Sequence, residues 1–110
     1  MHYCFHSVAG YQKIGTYSGT NSSQSITGLG FAPRFVMLKN STGIGPWVIH
    51  DTSRNPSNPS TKHLRANTNA VEDTGTGEQI NFDSDGFTLN ANSCTNINCA
   101  SNTFLYWAIA

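Results

Sequence analysis

Arg34-Phe35-Val36-Met37-Leu38-Lys39 is the stretch on which the fold turns: four apolar residues in a row between two cations, too short for a helix. A continuous run of this kind is expected of a strand buried on both faces and placed centrally in a sheet. Just upstream, Gly28-Leu29-Gly30-Phe31-Ala32-Pro33 breaks the chain, with glycines able to take positive φ and Pro33 fixing the bend by which the strand enters. Downstream, Thr42-Gly43-Ile44-Gly45-Pro46 reads as a turn into Trp47-Val48-Ile49-His50. Alternation along that strand is expected to face Trp47 and Ile49 to the core and Val48 and His50 to the other side.

Further out, the same grammar repeats. Tyr11–Ser18, Ser23–Thr27, Lys62–Ala66, Glu78–Phe82, Gly86–Asn90 and Thr103–Ala110 are short β-rich segments separated by Gly, Pro and Asn. No window holds apolar spacing of three and four residues, so a long helix has nowhere to fit. The predicted fold class is all-β: an antiparallel β-sandwich, jelly-roll-like, of about eight strands in a single domain over residues 1–110. The opening Met1-His2-Tyr3-Cys4-Phe5-His6 resembles the closing Leu105-Tyr106-Trp107-Ala108-Ile109-Ala110 in make-up, so residues 1–7 are expected to be the closing strand of a preceding repeat.

Composition limits the partners. Of 110 residues 11% are charged and the formal net charge is zero, while about a third are Ser, Thr or Asn. Scattered Lys and Arg cannot neutralise a phosphate backbone, so no nucleic acid is expected. No apolar run is long enough to span a bilayer, so no membrane insertion is expected either, nor a signal peptide. Cys94 and Cys99, with four residues between them in a polar loop, are disulfide candidates. Cys4 reads as a buried small hydrophobe, and three cysteines with no CxxC pair give no zinc site.

Taken together, several motifs carry a resemblance. Gly10-Tyr11-Gln12-Lys13-Ile14-Gly15-Thr16-Tyr17-Ser18-Gly19-Thr20, the Gly28–Lys39 stretch, Trp47-Val48-Ile49-His50-Asp51, Asp51-Thr52-Ser53-Arg54-Asn55-Pro56-Ser57-Asn58 and Ser84-Asp85-Gly86-Phe87 resemble a β-sandwich domain common in tailed-bacteriophage tail fibres. Tyr3-Cys4-Phe5 is similar to the strand that often precedes that domain. The resemblance spans nearly the whole chain and implies a virion structural protein without a cofactor. Its implied partners are other virion proteins, with a homotrimer as fibres usually form.

The candidate binding residues lie in the loop Asp51–Ser60, which has two X-Pro steps and no apolar residue. Asp51, Arg54, Asn55 and Asn58 are the ligand-binding candidates, on the ground that binding residues concentrate on loops displayed by a rigid sandwich. An Asp51–Arg54 bridge that braces the loop is the competing structural reading. Asp83-Ser84-Asp85-Gly86 has too few oxygens for calcium and reads as a hairpin turn. Glu72, Asp73 and Glu78 beside Thr74-Gly75-Thr76-Gly77 read as a solvated loop, and the four histidines show no metal spacing. No metal and no enzymatic activity are expected. Asn21-Ser22-Ser23 and Asn40-Ser41-Thr42 match the glycosylation acceptor pattern and carry no weight in a phage protein.

The functional expectation is therefore a tail-fibre module that contributes to recognition of host-surface glycan, since neutral Ser/Thr/Asn-rich loops suit sugar hydroxyls better than charged ligands. The alternative is a non-receptor structural module, either a fibre shaft domain or a capsid decoration protein.

Overall fold

In the computed structural model, which describes residues 4–91 and 93–110, the apolar run forms the middle strand of the larger of two antiparallel sheets. The strands are β1 (Gln12–Ser18), β2 (Gln24–Ile26), β3 (Phe35–Asn40), β4 (Val48–Asp51), β5 (Leu64–Arg65), β6 (Ile80–Phe82), β7 (Phe87–Leu89) and β8 (Thr103–Ile109). The first sheet has the order β1-β8-β3-β4-β5 and the second β2-β7-β6. A single turn of 3-10 helix, Thr76–Glu78, precedes β6. The chain is an all-β sandwich, and each of its eight strands falls within a residue or two of a segment read from sequence.

The core is where period-two alternation requires it. Val36 and Leu38 of β3, Val48 of β4, Phe104, Tyr106 and Ala108 of β8 and Tyr17 of β1 point inward from the first sheet. Ile80, Phe87 and Leu89 meet them from the second, with Leu29 and Ile97 supplied by loops. Tyr17 stacks on Phe104 with ring centroids 5.3 Å apart, and Phe87 meets both Tyr17 and Tyr106 edge-on, so aromatic contacts join the two sheets. Burying these side chains contributes roughly 1.5–3 kcal/mol each before the entropy of ordering the chain is set against it.

Two glycines are demanded by close approach. A Cβ on Gly86 would lie 1.8 Å from the carbonyl oxygen of Ile26, and one on Gly19 would lie 2.0 Å from that of Cys99. Gly28 and Gly30 have φ of 82°, and their N–H groups both donate to the Asp85 carboxylate at 3.0 and 2.7 Å. The Asp83–Gly86 turn is thus a β6–β7 hairpin whose second carboxylate fastens the bend before β3. Asn98, wholly buried, receives the Thr20 N–H and the Gln24 amide and donates to the carbonyls of Ser22 and Ala91. A buried amide with every group paired pins the last loop to both sheets.

The structure corrects the readings of β3, β4 and Cys4. β3 is central but closed on one face only: Val36, Leu38 and Asn40 are buried while Phe35, Met37 and Lys39 on the outer face are half-buried. β4 is turned over relative to its reading, because Met37 pairs with Ile49 and Val36 with His50, and cross-strand partners share a face. Val48 and His50 therefore face the core, and Trp47 and Ile49 face outward. Cys4 is exposed rather than buried. Cys4–Ser7 form no strand: the Ser7 hydroxyl exchanges hydrogen bonds with the Ile14 backbone, and Phe5 lies on Trp107 at 4.6 Å. The remaining residues of the expected shared strand, 1–3, lie outside the described residues.

Candidate functional site

The β3–β4 turn, the loop before β8 and the 3-10 turn meet at one end of the sandwich, where they enclose a cleft of about 330 Å³. Its walls are Asn40, Asn96, Asn102, Thr95 and Glu78, together with the Cys94–Cys99 disulfide that closes the loop before β8. Asn40 ends β3 with its side chain inward, and its Oδ1 accepts the N–H groups of Thr42 and Gly43, which turns the chain toward β4. The Asn40 and Asn102 amide nitrogens converge over Gly43, lying 2.8 and 3.1 Å from the position a Cβ there would occupy. The Asn102 side chain makes no hydrogen bond among the described residues. The cleft thus presents amide donors and acceptors from separate segments, with one carboxylate at its base.

That carboxylate belongs to a buried polar network. Glu78 is 6% exposed, against the solvated loop expected for it. One of its oxygens accepts from the Asn96 amide, and the other lies 2.6 Å from Nε2 of His63 and 3.5 Å from Nη2 of Arg65. Asp73 Oδ2 is 3.7 Å from the same His63 nitrogen and 3.2 Å from Arg65. The Glu78 carbonyl accepts from Nε2 of His50, whose Nδ1 pairs with the Ser60 hydroxyl at 3.0 Å. His50, Ser60 and His63 are all fully buried, and the two imidazoles lie 5.5 Å apart.

These contacts move the titrations in opposite directions. The close contact with His63 comes first in holding Glu78 down, with Asn96 and Arg65 helping, and they outweigh its burial to bring it to about 2. Burial pulls His63 down, but the Glu78 carboxylate and the Thr61 carbonyl outweigh it and leave the ring above its ordinary value. Burial first, and then the neighbouring His63, pull His50 down to about 4; the Glu78 carbonyl and the Glu78 and Asp51 carboxylates offset this only in part. The network thus shifts two neighbouring imidazoles in opposite directions, His63 up and His50 down.

Three of these groups have metal-ligand chemistry: one ligand atom each from His63, Asp73 and Glu78 lies within 4.8 Å of the others. Their spacing in sequence is irregular and they come from three different segments, so no linear motif announced them. The cleft residues were likewise hidden. Asn40 read as a glycosylation pattern and Asn96 as part of a polar loop, while Asn102 drew no reading. The available signal was the polar Asn92–Cys99 loop beside a cysteine pair.

The Asp51–Asn58 loop lies elsewhere. Phe35 pairs with Asp51 at one end of β3 and Asn40 with Phe104 at the other, so the loop and the cleft are separated by the strand's length, roughly 17 Å. Each candidate there is engaged within the fold. Arg54 Nε bonds Asp51 at 2.8 Å and its Nη1 bonds Glu72 at 2.7 Å. Asn55 Oδ1 accepts the N–H groups of Thr61 and Lys62. Asn58 donates to the Phe82 carbonyl and accepts its N–H, a side chain standing in for a paired strand residue.

A second concavity, also about 330 Å³, lies on the outer face of the five-stranded sheet. It is apolar and lined by Phe5, Ile14, Met37, Trp47, Leu105 and Trp107, so the outward turn of β4 places Trp47 there beside Met37.

A family profile for DUF7483, a domain of unknown function, matches residues 1–110. The chain belongs to the DUF7483 family. Comparison with curated proteins and with solved structures finds no match.

Proposed function

We infer that this chain is a non-enzymatic β-sandwich module of a tailed-bacteriophage virion, acting in a tail fibre to contact host-surface carbohydrate through the cleft at the β3–β4 end. The motif resemblance supports the virion assignment. The observation that carries the binding reading is the convergence of the Asn40 and Asn102 amides over Gly43, beside Asn96 and Thr95. Sugar hydroxyls both donate and accept, and a cleft of side-chain amides on a rigid sheet end offers both roles without net charge.

The test is binding of the purified domain to an array of bacterial surface polysaccharides, with Asn102→Ala beside wild type. Asn102 makes no side-chain hydrogen bond among the described residues, so the variant should melt like wild type and lose glycan binding. Binding that survives Asn102→Ala and disappears with Arg54→Ala would move the site to the 51–58 loop.

The apolar outer groove favours a second reading, a shaft or decoration module that packs against a neighbouring virion protein. Gold-tagged antibody against the domain, located on intact virions by electron microscopy, separates the two. Gold at fibre tips supports recognition; gold along the shaft or over the head supports the structural role.

A further inference from the structure

We propose that His63, Asp73 and Glu78 form a binding site for a borderline divalent metal ion of the zinc class, with His63 Nε2, Asp73 Oδ2 and Glu78 Oε2 as ligands. This site does not depend on the carbohydrate reading. It rests on the placement of one buried imidazole nitrogen between two carboxylates from different segments.

The tautomer of His63 is fixed by its other side. Nδ1 lies 3.2 Å from the Thr61 carbonyl, which can only accept, so Nδ1 carries the hydrogen and Nε2 of a neutral ring presents a lone pair. That lone pair faces Glu78 Oε2 at 2.6 Å and Asp73 Oδ2 at 3.7 Å, an arrangement that is repulsive unless a cation lies between them. Nε2 is buried and has no hydrogen-bond partner among the described residues, although Glu78 Oε2 is 2.6 Å away. A proton there is poorly used. A metal about 2.0–2.2 Å from each ligand in tetrahedral geometry separates ligand atoms by roughly 3.4 Å. The two observed separations bracket that figure.

The surrounding contacts are those a metal site requires. A backbone carbonyl orients the imidazole. Asn96 holds the other Glu78 oxygen, and His50 holds the Glu78 carbonyl. His63 and Asp73 are locked opposite each other by a pair of backbone hydrogen bonds, 2.9 and 3.0 Å. Asp73 Oδ1 is committed to the Gly75 N–H, and Oδ2, which accepts from Arg65 Nη2 at 3.2 Å, is the oxygen turned to the ligand position. The Asp73 side chain is 42% exposed, so an ion has a way in and water can complete the coordination.

Arg65 is the resident competitor. Its Nη2 stands 3.2 and 3.5 Å from the two ligand oxygens, beyond the roughly 2.7–2.9 Å of a tight charge-assisted bond. It therefore offsets one of the two negative charges without filling the space between the oxygens and the imidazole. One imidazole and two carboxylates suit zinc, cobalt or nickel better than calcium, which takes six to eight oxygens.

The experiment uses the full chain in a Cys4→Ser background, which removes the exposed free thiol, after EDTA treatment and dialysis at pH 7. Calorimetric titration with Zn²⁺ should show one equivalent bound, excess Zn²⁺ should raise the melting temperature, and Co²⁺ should give a visible absorption band. Asp73→Asn keeps the bond to Gly75 and should weaken Zn²⁺ binding at least about tenfold, as His63→Gln should if it folds. Absence of binding by the parent protein overturns the site. So does binding that Asp73→Asn leaves unchanged, which would place the metal elsewhere.

Discussion

His50 should make this protein acid-labile well above the range in which carboxylates protonate. Its ring is fully buried, with Nε2 against the Glu78 carbonyl at 2.7 Å and Nδ1 against the Ser60 hydroxyl at 3.0 Å. The carbonyl can only accept, so Nε2 carries the proton and Nδ1 accepts from Ser60; a second proton on Nδ1 would break that bond inside the core. Burial accordingly lowers His50 from 6.5 to about 4. The unfolded chain takes up a proton below pH 6.5 that the folded chain refuses until about pH 4. The contribution is thus intact above 6.5 and is lost as pH falls through that window at about 1.4 kcal/mol per unit. By pH 5 the loss is about 2 kcal/mol, or a fall in melting temperature of roughly 8 °C for a chain of this length. Glu78 adds to it only below about 4.5, because its folded value is depressed from there. His63, raised above 6.5, changes stability on the alkaline side of that value and leaves the window to His50. Thermal melts in EDTA from pH 7 to 5 measure the slope, and imidazole NMR assigns it. A His50 resonance that titrates near 6.5 in the folded protein would refute the reasoning.

Two substitutions test the packing. Tyr17→Phe leaves the Ile97 carbonyl without the phenol that bonds it at 2.8 Å inside the core, and should cost about 1–3 kcal/mol in urea unfolding with the strand content unchanged by circular dichroism. Gly86→Ala sets a methyl 1.8 Å from the Ile26 carbonyl, so it should destabilise by about 3 kcal/mol or more and increase exchange of the β2–β7 amides; a melt equal to wild type would show that this approach is not as close as described.

The strands were legible because each is short, punctuated and rich in β-formers, and that information is local. Facing was less so. Trp47-Val48-Ile49-His50 alternates apolar side chains on both faces, so composition could not say which side is inside; the pairing of Met37 with Ile49 decides it. The same holds for β3, where four apolar residues in a row are consistent with one closed face or two. The Asp51–Arg54 bridge was legible from its spacing of three residues, whereas the Arg54 bond to Glu72 joins residues 18 apart and was not. His63, Asp73 and Glu78 are brought together by the backbone pairing of His63 with Asp73 and by the 3-10 turn. Neither leaves a periodic mark in the sequence.

Sparse charge gains meaning once it is located. Between β4 and β6 the chain runs from Thr52 to Gln79 with one two-residue strand, a long irregular segment with little apolar surface to bury. Asp51, Glu72, Asp73 and Glu78, four of the six acidic residues, are spent on holding it, against Arg54, Arg65 and His63. The exposed pairs are screened by solvent and act as positioning devices. The buried contacts decide more: Ser60 pairs with Ile80 through the backbone, and His50 and His63 hold the 3-10 turn from two sides. That turn carries Gly77 and Glu78 into the wall of the cleft. The geometry of the proposed binding cleft is therefore set by the histidine network behind it, and a ligand that contacts Glu78 or Asn96 should feel any cation that occupies the His63 site. Binding and metal occupancy are separate claims, but they share the Glu78 carboxylate, with one oxygen turned to each.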